Sequence, residues 1–256
     1  MTRVRVALDG PVGRLTLARP DKRNALDAEA AAELRSGLDR CAREPGIRVV
    51  LLAADGPDFC AGADLAALEH MLDAEPAAHY DDAMALGAVF IAMREIQKPI
   101  VAAVRGRALA GGAGLASACD IVLAEDGARF GYPEVRVGFV PAMVMTMLRR
   151  AVGEKRAFEL VATGRQLNAA EALALGLVSR VLPRDTFDAD VDAVVQSLAA
   201  APPGALALTK RLFYALDGVG FREGIELGAR TNVEARSSTE FRDGVRRFVQ
   251  RGGSQA

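Results

Sequence analysis

Two rhythms of apolar residues alternate along the chain. "VRVALDGPVGRLTLARP" predicts two short strands, residues 4–8 and 12–17, around a Gly-Pro turn. The unbroken apolar runs in "IRVVLLAAD", "PIVAAVRG" and "DIVLAED" predict strands buried on both faces, and "LVSRVLP" predicts a further short strand. "LDAEAAAELRSGLDRCAREPG" instead places Leu34, Leu38 and Cys41 on one helical face, with Asp27 as N-cap and Pro45-Gly46 as the stop. Buried strands separated by helices predict an α/β fold.

After Pro141 the pattern turns helical. "PAMVMTMLRRAVG" has proline at a helix start and glycine at its end. "NAAEALALG" carries a capping box, Asn168 with Glu171, and Gly176 as its stop. From about Pro202 only helices are expected. In the last one Ser237 and Glu240 predict a second capping box, ahead of a stripe of Phe241, Val245 and Phe248. The expected division is a core over residues 1–197 and a helical region over 198–256.

Composition narrows the class. A chain of 256 residues, 51% hydrophobic, buries one sizeable domain with at most a small appendage. A net charge of -1 gives no general attraction to nucleic acid or an anionic membrane. Three cysteines, Cys41, Cys60 and Cys119, form neither a disulfide framework nor a metal spacing, which points to a reducing compartment. "MTRVRVALDG" has no apolar leader, and no run reaches the roughly 18 apolar residues of a membrane span. The expectation is a cytoplasmic protein with no metal.

Three stretches carry candidate chemistry. In "ALAGGAGLASACD" small residues precede and fill a helix. Three readings stand side by side: a degenerate dinucleotide fingerprint in "GAGLAS", an oxyanion site of exposed N–H groups, or close helix packing. "GPDFCAGADLAAL" follows the strand "VVLLAAD" in the same way, and Asp64 either caps the helix or serves a ligand. Two such turns can each offer one N–H to a single oxygen. "ARFGYPEVRVGFVPA" sets Glu134 among apolar residues, which raises a carboxyl pKa and fits proton transfer; a surface glutamate at a turn, or one paired with Arg136, is the bland alternative.

Together "RPDKRNAL", "FCAGADL", "GRALAGGAGLASACDI", "FGYPEVRVGFVP" and "AVGEKRAFELVATGRQLNAAEALALGLVSRV", in this order, resemble the crotonase (enoyl-CoA hydratase/isomerase) superfamily across nearly the whole chain. The resemblance implies a spiral of ββα units and a C-terminal helical region used in trimer formation, with trimers pairing into hexamers. It implies an acyl-CoA thioester substrate and no cofactor beyond that coenzyme A. The oxyanion donors would be the N–H groups of Ala63 and Gly111, and Glu134 the acid/base. Lys22, Arg23 and Ala25 would meet the phosphate and adenine end. Ala61, Asp64 and Leu65 would lie along the coenzyme, Tyr132 would reach the pocket, and Lys210 is a further candidate. His70 and His79 fall in the family's variable segment over the site, and Cys60 is a small apolar filler beside the oxyanion turn.

One departure changes the expected chemistry. Hydratases of this family usually carry a second glutamate in the helix after the oxyanion glycines, where this chain has Gly114. A single carboxylate suits a double-bond shift, while hydration through Glu134 alone stays open. Gly114 is expected to enlarge the pocket. The alternative is a catalytically silent acyl-CoA-binding protein.

Overall fold

In the computed structural model, which describes residues 2–252, β1 (Val4–Asp9) and β2 (Val12–Leu17) form an antiparallel hairpin. Then come α1 (Ala28–Arg43), β3 (Val49–Ala54), α2 (Leu65–Glu69), α3 (Pro76–Glu95), β4 (Ile100–Val104), β5 (Arg107–Leu109), α4 (Gly111–Ala118), β6 (Ile121–Glu125) and β7 (Arg129–Gly131). The chain continues through α5 (Met145–Val152), α6 (Glu154–Thr163), β8 (Gln166–Asn168), α7 (Ala169–Ala174), β9 (Arg180–Leu182) and α8 (Phe187–Ala200). It closes on α9 (Pro203–Ala215), α10 (Phe221–Ser237) and α11 (Thr239–Gly252).

The larger sheet runs β1-β2-β3-β4-β6-β9, parallel from β2 onward, and the smaller runs β5-β7-β8. Alternate residues of the apolar runs face opposite ways. Val49, Leu51, Val101 and Leu123 pack on Phe187, Val191 and Val195 of α8. Val50, Leu52, Ala102 and Val122 face the other core, with Leu34 and Leu38 of α1 and Val89 and Met93 of α3. Burial on both faces is why these strands read as unbroken hydrophobic runs.

Several helix ends follow their local chemistry. Asp27 caps α1 by accepting from the Ala30 N–H at 2.8 Å, and Asn168 with Glu171 forms the capping box of α7. Three expectations need correction. Pro141 does not start α5: a turn intervenes, and the first helical residue is Met145. Ser237 and Glu240 form no capping box. Ser238 accepts from the Phe241 N–H at 3.1 Å, and Glu240 reaches across to the Gly204 and Ala205 N–H groups that open α9. The division at 197/198 falls inside α8, which packs on the sheet to Ala199, so the helical region begins at α9.

The segment leading to α2 runs beside the one leading to α4. Phe59 N donates to Arg105 O at 2.9 Å, Cys60 N to Arg107 O at 3.0 Å, and Leu109 N to Cys60 O at 2.9 Å. Buried Asp58 pins this pairing through a two-pronged bond to the Arg107 guanidinium at 2.8 and 2.7 Å. This side-by-side run carries both glycine-rich turns to the same end of the sheet.

Candidate active site

Two backbone N–H groups emerge where those turns meet. Leu26 bridges the first: its N–H donates to Gly62 O and its O accepts from Asp64 N, both at 2.8 Å. In a parallel bridge the opposite residue directs its own N–H away, so the Ala63 N–H points off Leu26, and Ala63 is exposed. Gly111 is the first residue of α4, whose N–H has no intrahelical partner and lies at the positive end of the helix dipole. The turns touch: a Cβ built on Gly62 would sit 2.7 Å from the Ala110 Cβ and 3.4 Å from the Gly111 N. Gly62 also has φ +98°, a conformation open to glycine.

Glu134 lies in a short 3-10 turn, Pro133–Val137, directly after β7 and Tyr132. Its Oε2 is buried with no hydrogen-bond partner among the described residues, and Arg136 does not pair with it. Burial pushes its carboxyl pKa up, opposed by its own backbone N–H. Val135, Val137, Phe139 and Val140 beside it are exposed. A buried carboxylate oxygen with no donor is costly for the fold and suited to accepting a proton.

The remaining expected residues separate into groups. Lys22 and Arg23 are exposed, and the Arg23 O accepts from the Ala61 N–H at 3.0 Å, so the 22–25 and 61–65 segments are neighbours. Leu65 is exposed. Asp64 caps α2 through the Ala66 N–H at 3.1 Å, and Arg19 holds its other oxygen at 2.9 Å. Burial acts against its charge, but the Arg19 bond and backbone donors leave its pKa lowered. Tyr132 is fully buried rather than lining open space. Its hydroxyl lies 3.2 Å from Ser117 Oγ, which itself donates to Ala113 O, so the tyrosine is the donor.

Three readings are overturned. Gly114 does not enlarge a pocket: a Cβ there would fall 2.3 Å from Val144 Cγ1 and 3.2 Å from Phe90 Cζ, both buried side chains. Residues 112–117 lie inside α4 rather than in a turn before it. Gly112 is pressed against Cys60, so "GAGLAS" makes no phosphate-cradling loop. Lys210, the further candidate for the coenzyme, has its ammonium taken up inside the protein. Its Nζ is buried and donates to Met93 O (2.8 Å), Lys98 O (3.1 Å) and Asp120 Oδ2 (2.7 Å). Cys60 is fully buried, and burial pushes its thiol up to about 12. His70 and His79 are exposed, and no cluster of three or more metal-binding side chains occurs among the described residues.

Two supporting residues escaped the sequence reading. Asn24, buried at φ +55°, donates to Asp55 O and Asp58 O at 2.9 and 2.8 Å and accepts from Arg19 N at 2.9 Å. Arg19 ties Asp27 at 2.7 Å to Asp64. Together they fix the loop that carries Ala25 and Leu26. The signal was "RPDKRN" itself, in which arginine and asparagine are spaced to serve one loop.

The architecture is that of the crotonases. An enoyl-CoA hydratase from Mycobacterium smegmatis superposes with a TM-score of 0.93 at 30% identity, covering 98% of this chain and 97% of that one. A putative enoyl-CoA hydratase from Streptomyces coelicolor superposes at 0.93 with 32% identity, covering 97% and 92%. The chain belongs to the enoyl-CoA hydratase/isomerase family, whose model matches residues 9–255. A putative enoyl-CoA hydratase of Thermus thermophilus is 42% identical over 242 residues, 94% of this chain and 96% of that relative.

Proposed function

We propose that this chain is an acyl-CoA enzyme that forms a thioester enolate and moves protons with one carboxylate, Glu134. The observation that carries this reading is the bare, buried Oε2 of Glu134 on a chain with apolar Val144 and Phe90 packed against Gly114. The thioester oxygen is held by the N–H groups of Ala63 and Gly111. Each such donor contributes about 3–4 kcal/mol to a transition state, and proton transfer by a positioned carboxylate about 10²–10⁴-fold.

A 3-enoyl-CoA illustrates the cycle. Glu134 takes a proton from C2, and the electron pair spreads onto the thioester oxygen and across C3=C4 to C4. The protonated Glu134 returns its proton at C4, leaving the double bond between C2 and C3. The sequence is redox-neutral, so it asks for no cofactor beyond the coenzyme A of the substrate. Water addition would route through the same carboxylate. Lys22, Arg23, Ala25, Ala61 and Leu65 line the coenzyme, and Asp64 acts there through the helix end it caps.

We also propose a homo-oligomer, a trimer or a dimer of trimers. The support is apolar side chains left exposed on the C-terminal helices, among them Phe213, Phe221, Ile225 and Phe248.

The test is turnover of crotonyl-CoA and of a 3-enoyl-CoA, with α-proton exchange into deuterium oxide, for the natural chain and Glu134→Gln. Conversion of the 3-enoyl substrate and exchange, both lost in the variant, support the proposal. Glu134-independent turnover refutes it. Thioester binding without exchange supports the silent binding protein instead.

A further inference from the structure

We propose that Ala110 is the positioning residue that aims the oxyanion donors, and that its backbone is held strained for this purpose. The proposal rests on the enolate reading above. Ala110 has φ +51° and ψ −122°, a region that glycine visits and a residue with a Cβ avoids. Such a conformation persists only where the surroundings over-determine it. Here they do. The Ala110 N–H donates to Gly131 O at 2.8 Å, and its carbonyl accepts from Gly114 N at 3.0 Å. The preceding residue is tied to Cys60 O through Leu109 N at 2.9 Å.

The angle ψ of Ala110 turns the peptide that joins it to Gly111. The N–H of that peptide is the Gly111 donor. An alanine relaxed to a common conformation would swing this N–H away from the Gly62–Ala63 turn. The methyl group has a second use. It fills the space beside Gly62, where a built Cβ would come within 2.7 Å, and so presses the turn bearing the Ala63 N–H against the start of α4. Gly131 ends β7, three residues before Glu134. One small residue thereby touches the first donor's turn, carries the second donor and hangs from the strand that delivers the base.

The replacement Ala110→Gly separates aim from stability. Glycine adopts this conformation without the Cβ penalty but also leaves it easily. A residue that serves only packing would lose stability and activity together. Ala110→Ser keeps the Cβ and is the conservative control.

The experiment measures three quantities on the full chain and both variants. These are the midpoint of thermal unfolding, kcat and KM on the best enoyl-CoA, and calorimetric binding of butyryl-CoA beside its thioether analogue, S-butyl-CoA, which lacks the carbonyl. We expect Ala110→Gly to unfold no earlier than the natural chain, to lose about tenfold in kcat with little change in KM, and to narrow the preference for thioester over thioether. This is a fraction of the 10²–10³-fold that deleting a donor costs. Ala110→Ser should keep the preference and most of kcat. Unchanged kcat and unchanged preference in Ala110→Gly would overturn the proposal, as would parallel loss of stability and rate. The binding comparison reads the donors without any turnover, so it judges Ala110 even where Glu134→Gln shows that the proton-transfer reading is wrong.

Discussion

Replacing Lys210 by methionine should loosen the C-terminal helices from the body, and the size of the loss can be worked from the contacts. Lys210 is the buried residue of α9, and its ammonium holds two carbonyls near the end of α3 and the Asp120 carboxylate. Burial lowers its pKa, while Asp120 acts to keep it charged. Breaking a buried ion pair costs about 3–5 kcal/mol, because the surviving charge is left uncompensated. Asp120 keeps two donors, the Ile100 N–H and the Tyr214 hydroxyl, each at 2.7 Å, so the lower end applies. At about 2–4 °C per kcal/mol for a chain of this size, a loss of about 3 kcal/mol lowers the midpoint by about 6–12 °C. Thermal and urea unfolding followed by circular dichroism, at one protein concentration, measure it. Lys210→Met/Asp120→Asn should recover part of the loss, since the amide removes the stranded charge. A midpoint unchanged in Lys210→Met, together with a raised KM for the thioester, would refute this account and return Lys210 to coenzyme binding.

Two further outcomes follow from the site. Glu134→Gln should raise thermal stability at neutral pH while abolishing proton transfer. The folded carboxyl pKa is raised above 4.5, so the charged form destabilises the fold once pH exceeds that folded value, and the penalty is absent below the unfolded one. The stability gap between variant and natural chain should therefore be open at about pH 8 and closed by about pH 4, while kcat/KM of the natural chain falls as acid protonates Glu134. Gly114→Ala should destabilise by about 1–3 kcal/mol through overpacking against Val144, and Val144→Ala in the same chain should relieve it; a stabilised Gly114→Ala would show that the helix start is looser than its contacts.

What was readable in the sequence divides along physical lines. β3, β4 and β6 were legible because burial on both faces demands an unbroken apolar run. β5, β7 and β8 were not, since three residues carry no period. Asn168 with Glu171 was legible because a capping box is local, whereas Glu240 caps a different helix, which no local rule foresees. Glu134 stood out by its apolar neighbours, but its bare oxygen depends on what else folds around it. Gly114 was misread because Val144, thirty residues on, takes its space, and Lys210 because Asp120 lies far back in the chain. The left-handed backbone of an alanine leaves no mark on the sequence.

The bridges at Leu26 and Cys60 have a consequence for how the molecule comes into being. Ala63 and Gly111 belong to remote stretches, and each is held by bonds to another stretch: Ala63 through the bridge to Leu26, and Gly111 through Ala110, which follows the Cys60 bridge and bonds Gly131. Long-range pairings close late, after the loop entropy between them has been overcome. A nascent or half-folded chain therefore lacks the proposed pair of donors. Catalytic competence becomes a readout of completed topology, and recovery of turnover during refolding should lag behind recovery of helical signal.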